Sequence, residues 1–384
     1  MKQIAVLGST GSVGLNSLRI VRTHPDQFRV IALAVRKNAE ELYKQALEFK
    51  PALVCLYESE KVQWLTAKLK PHGIRVTTGD EGLIEVSTLK VLDVVLFAVV
   101  GAVGLKPIFA AVRAGKSVAV ANKEPLVMAG GLLMKEAQRF RAGVFPVDSE
   151  HSALWQCLQG HAPASVKKLI LTSSGGPFRK RTAGFSTITP REALKHPCWK
   201  MGPKITIDSA TMMNKGLEII EAVNLFGMPS EKIDVLIHPE SIIHSMVEFV
   251  DGSHLAHLGI TDMRLPIQYA LSYPDRLVNH LPTLDLAGMS RLHFEKSNPK
   301  RFPCLELGYS ASRIGGTMPA VLNAANEMAV SSFLGHEIRF TDIPRVIEGT
   351  MHKHRTVKNP GLDAVLDADQ WARECAVDVI TAGL

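Results

Sequence analysis

Ile4-Ala5-Val6-Leu7-Gly8-Ser9-Thr10-Gly11-Ser12-Val13-Gly14 decides how this chain begins to fold. Four apolar residues make a short strand, and the stretch behind the turn, residues 13–22, has the spacing of an amphipathic helix. Glycines between strand and helix permit a tight turn and let a pyrophosphate approach the first helical amides, whose free N–H groups attract anions. The spacing is GxxGxxG rather than GxGxxG, so a packing turn without a ligand is the competing reading.

Outward from that turn, short β-branched runs alternate with amphipathic stretches. Further strands are predicted at residues 28–35, 52–56, 91–99, 117–121 and 144–147, with helices at 39–49, 59–69, 105–114 and 125–140. Short strands buried on both faces and joined by helices predict a mostly parallel, doubly wound, Rossmann-like sheet. Past Ser149 the pattern changes. A strand at 167–172 runs into Ser173-Ser174-Gly175-Gly176-Pro177, and residues 178–202 then carry basic, Thr, Pro and Trp residues without periodicity. That length suits a flexible lid. A helix at 214–225, strands at 232–237, 245–249 and 255–259, and a helix at 263–271 follow, then a polar connection and helices at 316–333, 341–352 and 363–382. The expected class is α/β, in three parts: an NADP-binding domain (1–148), a central α+β catalytic domain (149–278), and, after a connecting segment (279–303), a small helical bundle (304–384).

The chain has 384 residues, 46% hydrophobic and 21% charged, which excludes disorder and disulfide-stapled mini-proteins. Lysine and arginine number 44 against 37 acidic residues, a net +7 that suits an anionic substrate or cofactor without the concentrated charge of a nucleic-acid binder. Cysteines 55, 157, 198, 304 and 375 form no CxxC pair, so thiolate metal sites and a disulfide framework are not expected. No leader precedes Ile4, and the apolar stretch 91–105 is too short to span a membrane; a soluble, cytoplasmic protein without nucleic-acid or membrane partners is expected.

After the second strand, where NAD sites carry an acid, stand Arg36-Lys37-Asn38, which favour the extra phosphate of NADP; an ordinary solvated loop is the alternative. Gly101-Ala102-Val103-Gly104 and Asn122-Lys123-Glu124 follow other strands at the edge where such sheets place ligands. Asp148 and Glu150 flank Ser149, and in an extended segment both would face one side. Glu218 shares a helical face with Asn214 and Lys215. Carboxylates without thiolate partners suit Mg²⁺ or Mn²⁺, whereas acidic dressing of a helix start would need no metal. Ser174, Ser209, Asn214 and Lys215 offer hydroxyl, amide and ammonium donors suited to a terminal phosphate. His196 and Trp199 can close over a ligand, and His238 reads as structural.

The blocks Gly8 to Gly14, Ala121-Asn122-Lys123-Glu124, Asp148-Ser149-Glu150-His151-Ser152, His196-Pro197-Cys198-Trp199, Met212-Met213-Asn214-Lys215-Gly216-Leu217-Glu218 and Asn323-Ala324-Ala325-Asn326-Glu327 resemble the 1-deoxy-D-xylulose 5-phosphate reductoisomerase family, almost end to end. The resemblance implies an NADPH- and Mg²⁺- or Mn²⁺-dependent rearrangement and reduction of a phosphorylated ketose, performed by a homodimer. It implies Asp148, Glu150 and Glu218 as metal ligands, Lys123 and His244 near the reacting centre, and Ser149, Ser174, His196, Trp199, Ser209, Asn214 and Lys215 on the substrate. It gives the cofactor to Gly8, Ser9, Thr10, Gly11, Ser12, Val13, Arg36, Lys37, Asn38, Ala98, Asn122, Glu124, Gly202 and Met263. Thr261 stands where the family pattern leads one to expect proline. Retro-aldol–aldol and direct-shift routes both remain open. The competing functions are a semialdehyde dehydrogenase-like enzyme, which needs an activated cysteine, and a non-catalytic NADP-binding protein.

Overall fold

The computed structural model describes residues 1–199 and 201–383. Lys200, in the predicted 178–202 loop, and Leu384, the last residue of the predicted helical domain, lie outside them. The chain divides into two compact units. The first comprises Met1–Pro125, Leu133–Ser152 and Asp262–Leu281; the second comprises Leu126–Leu132, Ala153–Thr261 and Pro282–Leu384.

Seven parallel strands form the first unit's sheet: β1 (Lys2–Leu7), β2 (Phe28–Val35), β3 (Leu53–Leu56), β4 (Arg75–Thr77), β5 (Val94–Phe97), β6 (Ser117–Val120) and β7 (Val144–Pro146). Their order is β4-β3-β2-β1-β5-β6-β7, so the winding reverses between β1 and β5. That reversal opens a crevice beyond the carboxyl ends of the strands, the place where doubly wound folds bind ligands. On one face of the sheet Ile4, Val6, Leu33, Val54 and Leu96 share one core with Leu18, Leu42 and Leu65 of the covering helices, and on the other Ala5, Leu7, Val95 and Phe97 are buried as well. Ile267, Ala270 and Leu271 of the helix Arg264–Ser272 complete the shared core.

The second unit holds a mixed sheet of β8 (Val166–Ser173), β9 (Ile233–Ile237), β10 (Ile243–Phe249), β11 (His254–Leu258) and β12 (Glu295–Lys296), in the order β11-β10-β8-β9-β12. Only β8 and β9 run parallel. Helices Pro303–Ile314, Met318–Leu334, Ile343–Lys353 and Leu362–Thr381 form the bundle, whose Val321, Phe333, Val346 and Ala372 join Leu169, Leu171 and Leu217 in one core. Helices Met213–Phe226 and Pro303–Ile314 meet backbone to backbone: a Cβ on Gly308 would lie 2.3 Å from Gly216 Cα. Among the described residues, no helix is long and apolar enough to cross a membrane.

The predicted strands of the first unit are all present, but β4 and the helix Gly79–Thr88 escape the sequence reading. β4 is a three-residue edge strand too short to display alternation, and two glycines dilute the helix. Asp148 and Glu150 do not lie in an extended segment; a helix, Ser149–Leu158, starts between them and puts Glu150 in its first turn. Ser209 precedes the helix Met213–Phe226 and itself lies in the last turn of another, Pro203–Thr211, that the sequence pattern did not announce.

Candidate active site

The glycine turn meets strict steric limits before any ligand is considered. Gly8 has φ +88° and a Cβ there would lie 2.3 Å from the Ala98 carbonyl oxygen; a Cβ on Gly14 would lie 2.2 Å from the Gly8 oxygen. Ser9 is fully buried, its amide donating to Ala34 O and its hydroxyl to Gln45 Oε1 at 2.6 Å, so Ser9 shapes the turn and has no donor to spare. Gln45 is the residue sequence reading missed here; a glutamine on the apolar face of a helix was its only signal. The helix Ser12–Thr23 then begins with no side-chain cap and no acid in its first turn, which leaves its first amides to an anion.

Arg36 is exposed and pairs with Glu58 at 2.7 Å, Lys37 is exposed, and Asn38 caps the helix Ala39–Phe49 by accepting from Glu41 N. At the end of β6, Asn122 is buried and donates to the buried Glu124 carboxylate. That bond fixes the amide orientation and leaves Asn122 Oδ1 buried without a partner.

The helix Lys123–Phe140 starts there, and Lys123, almost wholly buried, donates to the Asp148 carboxylate that follows β7. Ser149 donates to Glu150. Within the first unit, Lys123, Asp148, Ser149 and Glu150 are therefore linked through these contacts at the carboxyl edge of the sheet.

In the second unit, Glu218 is completely buried and takes Asn214 Nδ2 and Lys215 Nζ, each at 2.5 Å. Asn214 Oδ1 is left buried without a partner. Ser174 Oγ lies 3.2 Å from His196 Nε2. Because His196 Nδ1 accepts the amides of Cys198 and Trp199, at 3.2 and 2.9 Å, the neutral ring carries its proton on Nε2 and points it at Ser174. Trp199 packs on His244 with ring centroids 6.4 Å apart. A Cβ on Gly176 would lie 2.6 Å from Ser209 O, so the glycine turn presses on the helix that carries Ser209. His238 is structural as expected: its ring contacts His293 O and accepts from Ile242 N. Gly202 caps the helix Pro203–Thr211, Met263 caps Arg264–Ser272, and Thr261 is exposed.

The cysteines offer little to thiol chemistry. Burial pushes Cys157 up to about 11 and Cys55 and Cys304 up to about 12, away from the range of a reactive thiolate. Cys375 is raised by burial too, and Cys198 spends its thiol on Pro239 O.

A glycine turn before an uncapped helix at the switch point of a doubly wound sheet, with two acids and one buried ammonium group at strand ends, is the architecture of an NADP-dependent oxidoreductase. Family profiles for 1-deoxy-D-xylulose 5-phosphate reductoisomerase match residues 4–130, and profiles for its C-terminal domains match 144–226 and 258–375. The chain belongs to the 1-deoxy-D-xylulose 5-phosphate reductoisomerase family. Relatives of that name from Desulforamulus reducens and Heliobacterium modesticaldum are each 50% identical, over 99% of both chains and over 100% and 98% respectively. The Zymomonas mobilis enzyme, solved with NADPH, superposes with a TM-score of 0.93 at 40% identity over 99% of each chain. A reductoisomerase solved with NADPH, fosmidomycin and magnesium gives the same TM-score and identity over 99% and 98%.

Proposed function

We infer that this chain converts 1-deoxy-D-xylulose 5-phosphate into 2-C-methyl-D-erythritol 4-phosphate, using NADPH and a divalent metal. Likeness to reductoisomerases over essentially the whole chain carries the reading. The residues of the chain fit both groups. For NADPH there is an uncapped helix start behind Gly8 and Gly11, two cations at Arg36 and Lys37, and the partnerless Asn122 Oδ1, which an amide donor would satisfy. Thr10, Ser12, Val13, Asn38, Ala98, Glu124, Gly202 and Met263 are proposed to line the same cofactor site. For the metal, the all-oxygen set Asp148, Glu150 and Glu218 matches Mg²⁺ or Mn²⁺.

A divalent ion held there supplies Lewis acidity to the substrate's oxygens, and the nicotinamide supplies hydride. The chain's own groups do the rest. Lys123 fixes the Asp148 carboxylate beside the reacting centre. Ser149 keeps Glu150 in place. Ser174, Ser209 and Lys215 hold the phosphate, with His196 donating to Ser174 so that the serine's own proton turns toward the ligand. Asn214, whose amide nitrogen donates to Glu218, presents its carbonyl oxygen as an acceptor and so suits a substrate hydroxyl. Trp199 and His244 wall the site and exclude water.

A homodimer in a bacterial-type cytoplasm completes the reading, resting on family resemblance. The test is product identity: with substrate, NADPH and Mn²⁺, NMR should show one branched tetritol phosphate formed per NADPH oxidised. An unbranched sugar-alcohol phosphate, or no product from NADPH-binding protein, would overturn it.

A further inference from the structure

Helices Pro203–Thr211 and Met213–Phe226 are separated by a single residue, Met212, which caps the end of one and the start of the next. Met212 has φ +63° and ψ +9°, a left-handed conformation in which an L side chain crowds its own backbone. Glycine would adopt it freely, yet a buried methionine stands here. The local bonds show what the side chain does. The Ser173 hydroxyl accepts from Gly175 N at 3.1 Å and donates to Met212 Sδ at 3.7 Å, tying the turn that carries Ser174 to the joint. Met212 N donates to Ser209 O, Gly216 N donates to Met212 O, and Thr211 Oγ1 accepts from Met213 N. Ser209 lies three residues before the joint, and Asn214 and Lys215 lie two and three after it. One residue thus touches all three segments that bear the phosphate donors.

We propose that Met212 is the positioning residue of the phosphate subsite. Its left-handed backbone sets the angle between the helix of Ser209 and the helix of Asn214 and Lys215, and its thioether holds the Ser174 turn against them. Strained conformations persist where the surroundings over-determine them, and they concentrate at functional sites. The inference rests on the phosphate role given above to Ser174, Ser209 and Lys215.

The test compares Met212→Val, whose β-branching opposes the left-handed backbone, with Met212→Leu, which keeps the volume, and with Ser173→Ala, which removes the donor to sulfur. Steady-state kinetics and competitive inhibition by inorganic phosphate are measured alongside NADPH affinity and thermal melting. Met212→Val should raise KM and the phosphate inhibition constant together by about tenfold or more, with NADPH affinity unchanged. Met212→Leu and Ser173→Ala should raise both by about two- to fivefold. Folded variants that melt earlier but keep wild-type KM and phosphate inhibition would overturn the proposal. Should Met212→Val fail to fold, Ser173→Ala and Met212→Leu decide it alone. Lys215→Met separates the two readings: unchanged phosphate inhibition there would remove the phosphate subsite itself, whereas loss there with wild-type behaviour at Met212 and Ser173 would remove only the positioning role.

Discussion

At the scale of single residues, Glu218 is the most exacting position. A carboxylate with no solvent exposure is tolerated because Lys215 and Asn214 meet both its oxygens at 2.5 Å. Replacing Lys215 with methionine removes the ammonium and leaves the charge buried. Denaturant unfolding should then register a loss of about 3–5 kcal/mol, and Glu218→Gln on the same background should recover part of it. Gly14 makes an independent prediction: a methyl there lies 2.2 Å from the Gly8 oxygen, with backbone on both sides of the turn. Gly14→Ala should weaken NADPH binding, read by fluorescence titration, by about tenfold or more, the equivalent of about 1–3 kcal/mol of overpacking. The roles of Gly8 and Gly14 were legible from strand, glycines and helix in succession. The engagement of Ser9 with Gln45 was not, because the two lie 36 residues apart and only the fold brings them together.

At the scale of elements, legibility followed length and periodicity. Strands such as β1 and β2 have enough consecutive apolar residues to declare themselves, while β4 has three residues at an edge. Two missed helices carried a usable sign, since Pro203 and Pro303 open them at the first turn, where proline's lost N–H costs nothing. Asp148-Ser149-Glu150 failed for a different reason: alternation was assumed where a helix begins.

The helix Arg264–Ser272 gives a prediction at this scale. Hydrogen bonds from Arg264, side chain and backbone, hold the Asp262 carboxyl below the usual range. A carboxyl depressed in the folded state contributes stability that is complete above its unfolded value, near 4, and is lost as pH falls through the folded value. Asp262→Asn should therefore lower stability at pH 7 by about 0.5–1 kcal/mol. Melting curves should show the difference from wild type shrinking as the pH drops below about 4.

At the scale of the whole molecule, the class of the fold was readable from the alternation of strands and helices, but the grouping of Asp262–Leu281 with the first unit was not. That segment lies 110 residues beyond Ser152, and its burial with Leu18 and Leu33, together with the Lys2 ammonium donating to Leu271 O and Tyr273 O, assigns it there. The metal site follows the same logic: composition supplies carboxylates, and family likeness says which three to test. Sedimentation velocity should give twice the 41.9 kDa chain mass if the homodimer is right.

Metal-dependent, NADPH-specific reductoisomerase activity is read by following NADPH absorbance with 1-deoxy-D-xylulose 5-phosphate and Mn²⁺ or Mg²⁺. Excess chelator, NADH in place of NADPH, and the Glu218→Gln variant serve as the comparison arms. Substrate-dependent oxidation that stops with chelator, is poor with NADH and is abolished in Glu218→Gln is the predicted result. A flat trace from folded, NADPH-binding wild-type protein with metal present would contradict it.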